Sequence, residues 1–338
     1  MPVYETSCYY CGGRILSVAI EGVTDHLGIS VDSWRFLRCN ACGSLLLSPR
    51  PEDDRLASFY PPEYSAGRCA ARTSFGARAQ DWLFYRWVHR GQAQRLLRAL
   101  GRGEGHSLRL LDIGCGNGFF LQQTTALGFA ATGSDWRAGS DENLNDGGGI
   151  PVVRARAHDL STHFSPQTFD VIAAFHVVEH LPAPSLALTH WFDLLKPGGT
   201  LVLGAPLIDS WQASIFGRRW SAIRDAPRHL SVPSRAGLHL LLAGIGFREI
   251  QRASLQCAPP EGQGSGSTMQ RAKDIPREIS SSGGAARDGT PAWITPELIA
   301  WTIRVWQPHY ETRLTPEDAV IMIQNVGRLI GILSRVES

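Results

Sequence analysis

Lysine is almost missing from this chain: of 33 basic residues only Lys196 and Lys273 are not arginine. The formal net charge is just +2 over 338 residues, so the arginine bias is compositional and demands no polyanion partner. Long apolar runs are also lacking, none approaching the roughly 18 residues of a membrane span. The opening stretch MPVYETSCYYCGG has no basic-then-apolar leader. These absences lead us to expect a cytoplasmic chain with no membrane span. A disulfide framework is excluded too, because the seven cysteines are clustered unevenly: Cys8, Cys11, Cys39 and Cys42 form two C-x-x-C pairs, while Cys69, Cys115 and Cys257 stand alone.

The two pairs are alike. Cys8-Tyr-Tyr-Cys11-Gly12 and Cys39-Asn-Ala-Cys42-Gly43 each place glycine directly after the second cysteine, the pattern of a tight turn that presents two thiolates. Four thiolates in tetrahedral array suit Zn²⁺ best. The intervening alternating stretches Arg14–Glu21 and Ser33–Arg38 suit the strands of a ribbon. A dithiol redox site would need one C-x-x-C opening a helix, not two distant turns. With sulfur in every position the zinc is structural. Residues 1–50 are therefore expected to be a zinc ribbon and 51–105 a helical connector, in which Trp82, Leu83, Tyr85, Trp87 and Val88 cluster on a helix running from about residue 74 to 100.

From Leu108 onward strand and helix patterns alternate, which implies an α/β domain with a mostly parallel sheet. Its first unit, LRLLDIGCGNGFFLQQTTALG, is an apolar strand ending at Asp112, then Gly114-x-Gly116-x-Gly118, then an amphipathic helix. Ligands of doubly wound sheets bind at the carboxyl ends of the strands, where such glycines let the backbone come close. The spacing is not the dinucleotide G-x-G-x-x-G. An acid directly before the glycines would repel a pyrophosphate but suits a cationic ligand.

DIGCGNG resembles the first motif of class I S-adenosylmethionine (SAM) methyltransferases, and later pieces follow in order. Gly133-Ser134-Asp135-Trp136, Ala157-His158-Asp159-Leu160, FDVIAAFHVVEHL and LLKPGGTLVLGAPL match the ends of strands two to five. The resemblance covers roughly residues 106–256. It implies a Rossmann-like doubly wound sheet, SAM as cofactor, and cofactor contacts at Asp112, Gly114, Gly116, Gly118, Asp135 (ribose hydroxyls), Trp136, Asp159 (adenine amine) and Phe175. The segment RCNACGSLLLSPRPEDDRLASFYPPEYS, together with the first C-x-x-C, is similar to the zinc-ribbon leader of methyltransferases from sugar, polysaccharide and natural-product clusters. Phe216–Trp220, Ala226–Leu230 and Ala243–Phe247 resemble that family's substrate side.

His176-x-x-Glu179-His180 matches the H-x-x-E-H string of a class of zinc peptidases. That chemistry needs the string inside a helix. Here a β-rich run, Phe169–Phe175, precedes it and Pro182 and Pro184 follow, so it should lie where a strand ends and a loop begins. In the methyltransferases this loop carries the group that handles the acceptor's proton, and His180 is expected to be a general base with a pKa near neutrality. A sharper version draws on ubiquinone-pathway and small-RNA O-methyltransferases, which carry a similar E-x-x-E-H and a later histidine around a divalent cation. By that resemblance Glu179, His180 and His229 would hold the ion, with His176 in the first position making the site softer.

Residues 258–292 read as a Gly-, Ser- and Pro-rich linker, and 293–338 as a C-terminal helical extension whose final helix, from about Pro316 to Val336, could join a second subunit. The expected activity is O-methylation of a small-molecule or glycan-type hydroxyl. The alternatives are an RNA methyltransferase that reads its substrate through the ribbon, and a SAM-binding protein without turnover. The RNA reading is disfavoured because residues 1–48 contain only Arg14, Arg35 and Arg38 and no lysine.

Overall fold

A computed structural model describes residues 6–60, 88–137 apart from 102 and 106, 149–254, 296–307, 313–317, 319 and 330–335. The parallel centre of the sheet is built as the apolar runs dictate. β4 (Arg109–Ile113), β5 (Ala130–Asp135), β6 (Val152–Arg154), β7 (Phe169–Phe175) and β8 (Leu195–Gly204) pair in the order β8-β7-β4-β5-β6. In β7 all but Asp170 and Phe175 are buried, and β8 is buried from Thr200 to Gly204, the near-continuous apolar pattern of strands covered on both faces. α3 (Phe119–Ala126) and a helix over residues 88–99 (α2) cover one face; α4 (Pro184–Leu194) and α7 (Arg235–Ile245) cover the other. The Pro197-Gly198-Gly199 turn falls within β8 as a register shift opposite Phe169 and Val171, with Gly198 at φ +74°.

Two strands complete the sheet. β10 (Arg248–Ser254) lies at its edge, and β11 (Ile330–Arg335) runs antiparallel between β10 and β8. This corrects the reading of 316–336 as one helix: residues 316, 317 and 319 are helical, but Ile330–Arg335 is a strand. Pairing with the backbone groups of two neighbouring strands outweighs any helical preference of Ile-Gly-Ile-Leu. The sheet consequently draws on two stretches of chain, one ending at Ser254 and one resuming at Ile330. The 258–292 linker and the Trp82–Trp87 cluster lie outside the described residues. Residues 256–327 form a unit of their own, in which α8 (Pro296–Trp306) starts at its proline and Leu314 N donates to Gln307 Oε1 at 2.8 Å.

The N-terminal module is an antiparallel sheet of β1 (Ile15–Thr24), β2 (Ser33–Cys39) and β3 (Leu45–Ser48), close to the strands expected. Its fourth strand, β9 (Ser231–Val232), is supplied by the segment that follows α5 (Trp211–Phe216) and α6 (Ser221–Arg224). β3 is buried on both faces: Leu46 joins the core containing Leu238 and Val178, while Leu45 and Leu47 join Trp220, Ile223 and Leu230. The module and the large domain thus share their cores. The connector opens with a helix, α1 (Asp53–Leu56), and a 3-10 turn over Ala57–Phe59 that deliver Tyr60 to the sheet's carboxyl end.

Candidate active site

The four cysteines of the module converge. Cys8 Sγ lies 3.6 Å from Cys42 Sγ and Cys11 Sγ 3.5 Å from Cys39 Sγ, with all four sulfurs within 4.8 Å of one another. A tetrahedron with bonds of about 2.3 Å has edges of about 3.8 Å, so the donor set fits Zn²⁺. Both turns close alike, Gly12 N donating to Cys8 O and Gly43 N to Cys39 O. Burial opposes ionisation of Cys39, but the amides of Cys42 and Ala41 and the thiols of Cys11 and Cys42 pull it down to about 7. The first turn of α7 packs against this centre: a Cβ on Gly237 would overlap Ser44 Oγ and come 3.2 Å from Cys42 Sγ.

At the carboxyl ends of β4, β5, β6 and β7 lies a cavity of about 350 Å³, within the roughly 300–1,000 Å³ typical of small-molecule sites. Gly114, Gly116, Asp135, Trp136, Phe175, His176 and His180 line it, as does Tyr60 from the connector. Gly114 is held at φ +70°, and a Cβ there would come 2.6 Å from Val177 Cγ2, so the loop can pass this closely only without a side chain. Asp135 accepts the amides of Gly116 at 3.1 Å and Arg137 at 2.9 Å, which fixes its carboxylate at the cavity edge. Those features fit SAM: a carboxylate for ribose hydroxyls, bare backbone beside it and an aromatic wall. Three residues expected to touch the cofactor lie off the wall. Asp112 is enclosed behind it, where burial, with the neighbouring Asp135 charge, pushes its carboxyl well above the usual range. Gly118 begins α3, and the half-exposed Asp159 faces His158 at 3.6 Å; His158 lines the cavity in its place.

The H-x-x-E-H string is not helical over its length. His176 leaves β7 at φ +57°, its amide donating to Gly204 O at 2.7 Å, and a 3-10 turn covers Val178–His180. This geometry rules out the peptidase arrangement, in which both imidazoles share one helical face. Glu179, His180 and His229 are instead drawn together, with ligating atoms within 4.8 Å of one another. Glu179 is wholly buried. His176 Nδ1 lies 3.2 Å from its Oε1, and among the described residues its Oε2 has no hydrogen-bond partner. Burial opposes its ionisation, yet the His176 hydrogen bond and the nearby imidazoles of His176, His180 and His229 hold it below its ordinary value. His229 donates Nδ1–H to Ala222 O at 2.7 Å and stacks edge-on against His180 at 4.7 Å.

Arg228 O accepts Nδ1–H of His180 at 3.0 Å, leaving Nε2 unprotonated, and Tyr60 Oη is also 3.0 Å from Nδ1. Burial, reinforced by His229, lowers the His180 pKa to about 4. A general base near neutrality was expected; with its pKa lowered, the half-buried ring is neutral at pH 7 and offers the Nε2 lone pair to the cavity. Linkage follows for stability. His180 and His89, the latter also drawn by burial to about 4, bind protons more readily unfolded, so their contribution is complete above about pH 6.5 and lost towards pH 4. Urea midpoints should therefore fall between pH 7.5 and pH 5; an unchanged midpoint would contradict this burial.

Sequence reasoning missed Tyr60, Asp25 and Asp225 and left Arg228 without a role. Tyr60 lies in the stretch FYPPEYS, where nothing in its spacing distinguishes it from Tyr64.

A mostly parallel sheet completed by an antiparallel strand, with a cavity at the carboxyl ends of its parallel strands, defines a Rossmann-like fold of the class I methyltransferase type. The family described as "Methyltransferase domain" matches residues 84–252, half of the chain, and the chain belongs to that family. Among curated proteins it is 33% identical over 145 residues to a ubiquinone biosynthesis O-methyltransferase of Paramagnetospirillum magneticum, covering 39% of this chain and 53% of that protein. It is also 33% identical over 123 residues to the protein of that name from Cereibacter sphaeroides, covering 33% and 48%. The chain thus spans about half the length of the curated relatives it matches. A SAM-dependent methyltransferase structure from Archaeoglobus fulgidus is 20% identical, covers 72% of this chain and 92% of its own, and superposes with a TM-score of 0.42.

Proposed function

We propose that the protein transfers a methyl group from SAM to a hydroxyl of a small molecule, with a divalent cation at Glu179, His180 and His229 beside the acceptor. The observation that carries this reading is the buried carboxylate of Glu179, one oxygen unpartnered, facing two imidazoles at ligand distance. A buried carboxylate oxygen without a partner is costly unless a cation completes it. The name of the curated relatives supports oxygen as the methylated atom. The zinc-ribbon leader supports a sugar, polysaccharide or natural-product setting.

Bound SAM supplies an electrophilic methyl group. Asp135 would hold it by the ribose hydroxyls, with Gly114 and Gly116 offering close backbone and Trp136 and Phe175 apolar surface. A cation at the triad would lower the pKa of a coordinated hydroxyl, so that no strong base is needed. His176 keeps Glu179 ionised and oriented, and His180 offers Nε2 because Arg228 O occupies Nδ1.

The test has two arms. Calorimetry should show SAM binding that Asp135→Ala weakens by about 1.5–3 kcal/mol, the worth of charge-linked hydrogen bonds. Unchanged affinity would remove Asp135 from the site, and no binding by the parent protein would remove the proposal. Methyl transfer to a panel of catechols and sugar derivatives should be lost with chelator and restored by Mn²⁺ or Zn²⁺. Activity indifferent to chelator would leave His180 as an unaided base.

A further inference from the structure

A buried guanidinium joins the N-terminal module to the reaction site. Arg228 is fully enclosed: Nη2 donates to Asp25 Oδ1 at 2.6 Å, Nε to Asp225 Oδ1 at 2.9 Å and Nη1 to the Phe59 carbonyl at 3.1 Å. Asp25 stands on the turn between β1 and β2, where its carboxylate also accepts the amides of Leu27, Ile29 and Ser30. It is therefore a fixed point of the module, not a mobile surface acid. Phe59 immediately precedes Tyr60, so the same side chain also anchors the connector at the cavity.

The other end of this network touches both histidines. The backbone carbonyl of Arg228 receives His180 Nδ1–H, and Asp225 Oδ2 lies 3.3 Å from His229 Nε2. Next in the chain, Leu230 N donates to Glu179 O at 2.9 Å and Leu230 O accepts from Leu47 N of β3 at 2.9 Å. A carbonyl can only accept, so its contact favours the proton on Nδ1 of His180, with the Tyr60 hydroxyl, 3.0 Å from the same nitrogen, as a second acceptor. A guanidinium that spans three acceptors in a plane holds that carbonyl in place better than a point charge could.

We infer that Asp25 is a positioning residue for methyl transfer: by clamping Arg228 it sets the tautomer of His180 and keeps Asp225 beside His229, so the cysteine module forms part of the reaction site. The inference rests on the assignment of His180 and His229 to the acceptor side. Asp25→Asn is the informative variant, because two carboxylates flank one guanidinium and removing one charge leaves a balanced pair.

The experiment uses the full zinc-loaded chain. In the parent, ¹⁵N imidazole spectra should show His180 as the Nδ1–H tautomer. Asp25→Asn should turn this into a tautomer mixture, weaken Mn²⁺ binding measured by electron paramagnetic resonance at least tenfold, and lower kcat at least tenfold. Zinc content and SAM affinity should stay within twofold. Arg228→Lys should reproduce these changes, and Asp25→Glu should recover part of the loss. A parent spectrum showing His180 protonated at Nε2 overturns the inference even if no variant folds. So does an Asp25→Asn protein whose only defect is a lower unfolding midpoint, with tautomer and turnover per folded molecule intact. If the parent binds no Mn²⁺ but the tautomer still changes with Asp25→Asn, the cation reading fails and the positioning role stands.

Discussion

Cys39→Ser is expected to yield protein that neither holds zinc nor stays soluble, against about one zinc per chain in the parent. Cys39 is fully buried at the end of β2, its sulfur beside that of Cys11 and its amide bonded to Ser44 O at 2.9 Å. Serine removes one of the four thiolates and leaves a hydroxyl that is a poor fourth ligand. Metal-coupled folding of such sites is worth about 10–16 kcal/mol, as much as the whole stability of an ordinary domain, about 5–15 kcal/mol. The loss cannot be confined to the module, because Leu45, Leu46 and Leu47 of β3 are core residues of the large domain as well. Metal analysis and a solubility assay of the two proteins suffice. A zinc-free parent, or a variant of parental stability, would defeat the expectation.

His180→Ala should lower turnover by about a hundredfold or more while SAM affinity barely changes, since the imidazole acts only as the acceptor loses its proton. With a cation at the triad, Glu179→Ala and His229→Ala should be as damaging. The ring's pKa of about 4 adds an expectation common to both mechanisms. His180 is neutral throughout the range from about pH 6 to about pH 8, so its own titration leaves the rate flat there, whereas an imidazole base with an ordinary pKa of about 6.5 gives a rate that rises across it. Normal turnover by His180→Ala would leave the histidine only a loop-shaping role.

The parts of this site legible in the sequence are those in which local chemistry and local geometry coincide. The glycines after β4, the acid ending β5 and the two cysteine turns each carry their structural reason within a few neighbouring residues. Asp159 was placed on the cofactor by its order along the chain, whereas its neighbour His158 lines the cavity. The clamp around Arg228 was not legible at all. Its partner Asp25 lies 203 positions away, and neither residue forms a pattern with its neighbours. β11 escaped for a similar reason, because a run as short as Ile330-Gly-Ile-Leu333 fits a helix or a strand until the strands beside it are known.

That last strand also constrains the order in which the chain can fold. β10 ends at Ser254, yet the partner that joins it to β8 begins only at Ile330, after residues 255–329 have been made. During synthesis the cofactor half of the sheet can assemble early, from β4 through β8, while the β8 edge waits with its amides and carbonyls unpaired. An open edge of this kind invites pairing with another chain. Closing so long an intervening segment costs only a little more entropy than closing a short one, but it delays the step. Nascent chains stalled before Ile330 are thus the species most prone to aggregate, whatever the finished protein's stability.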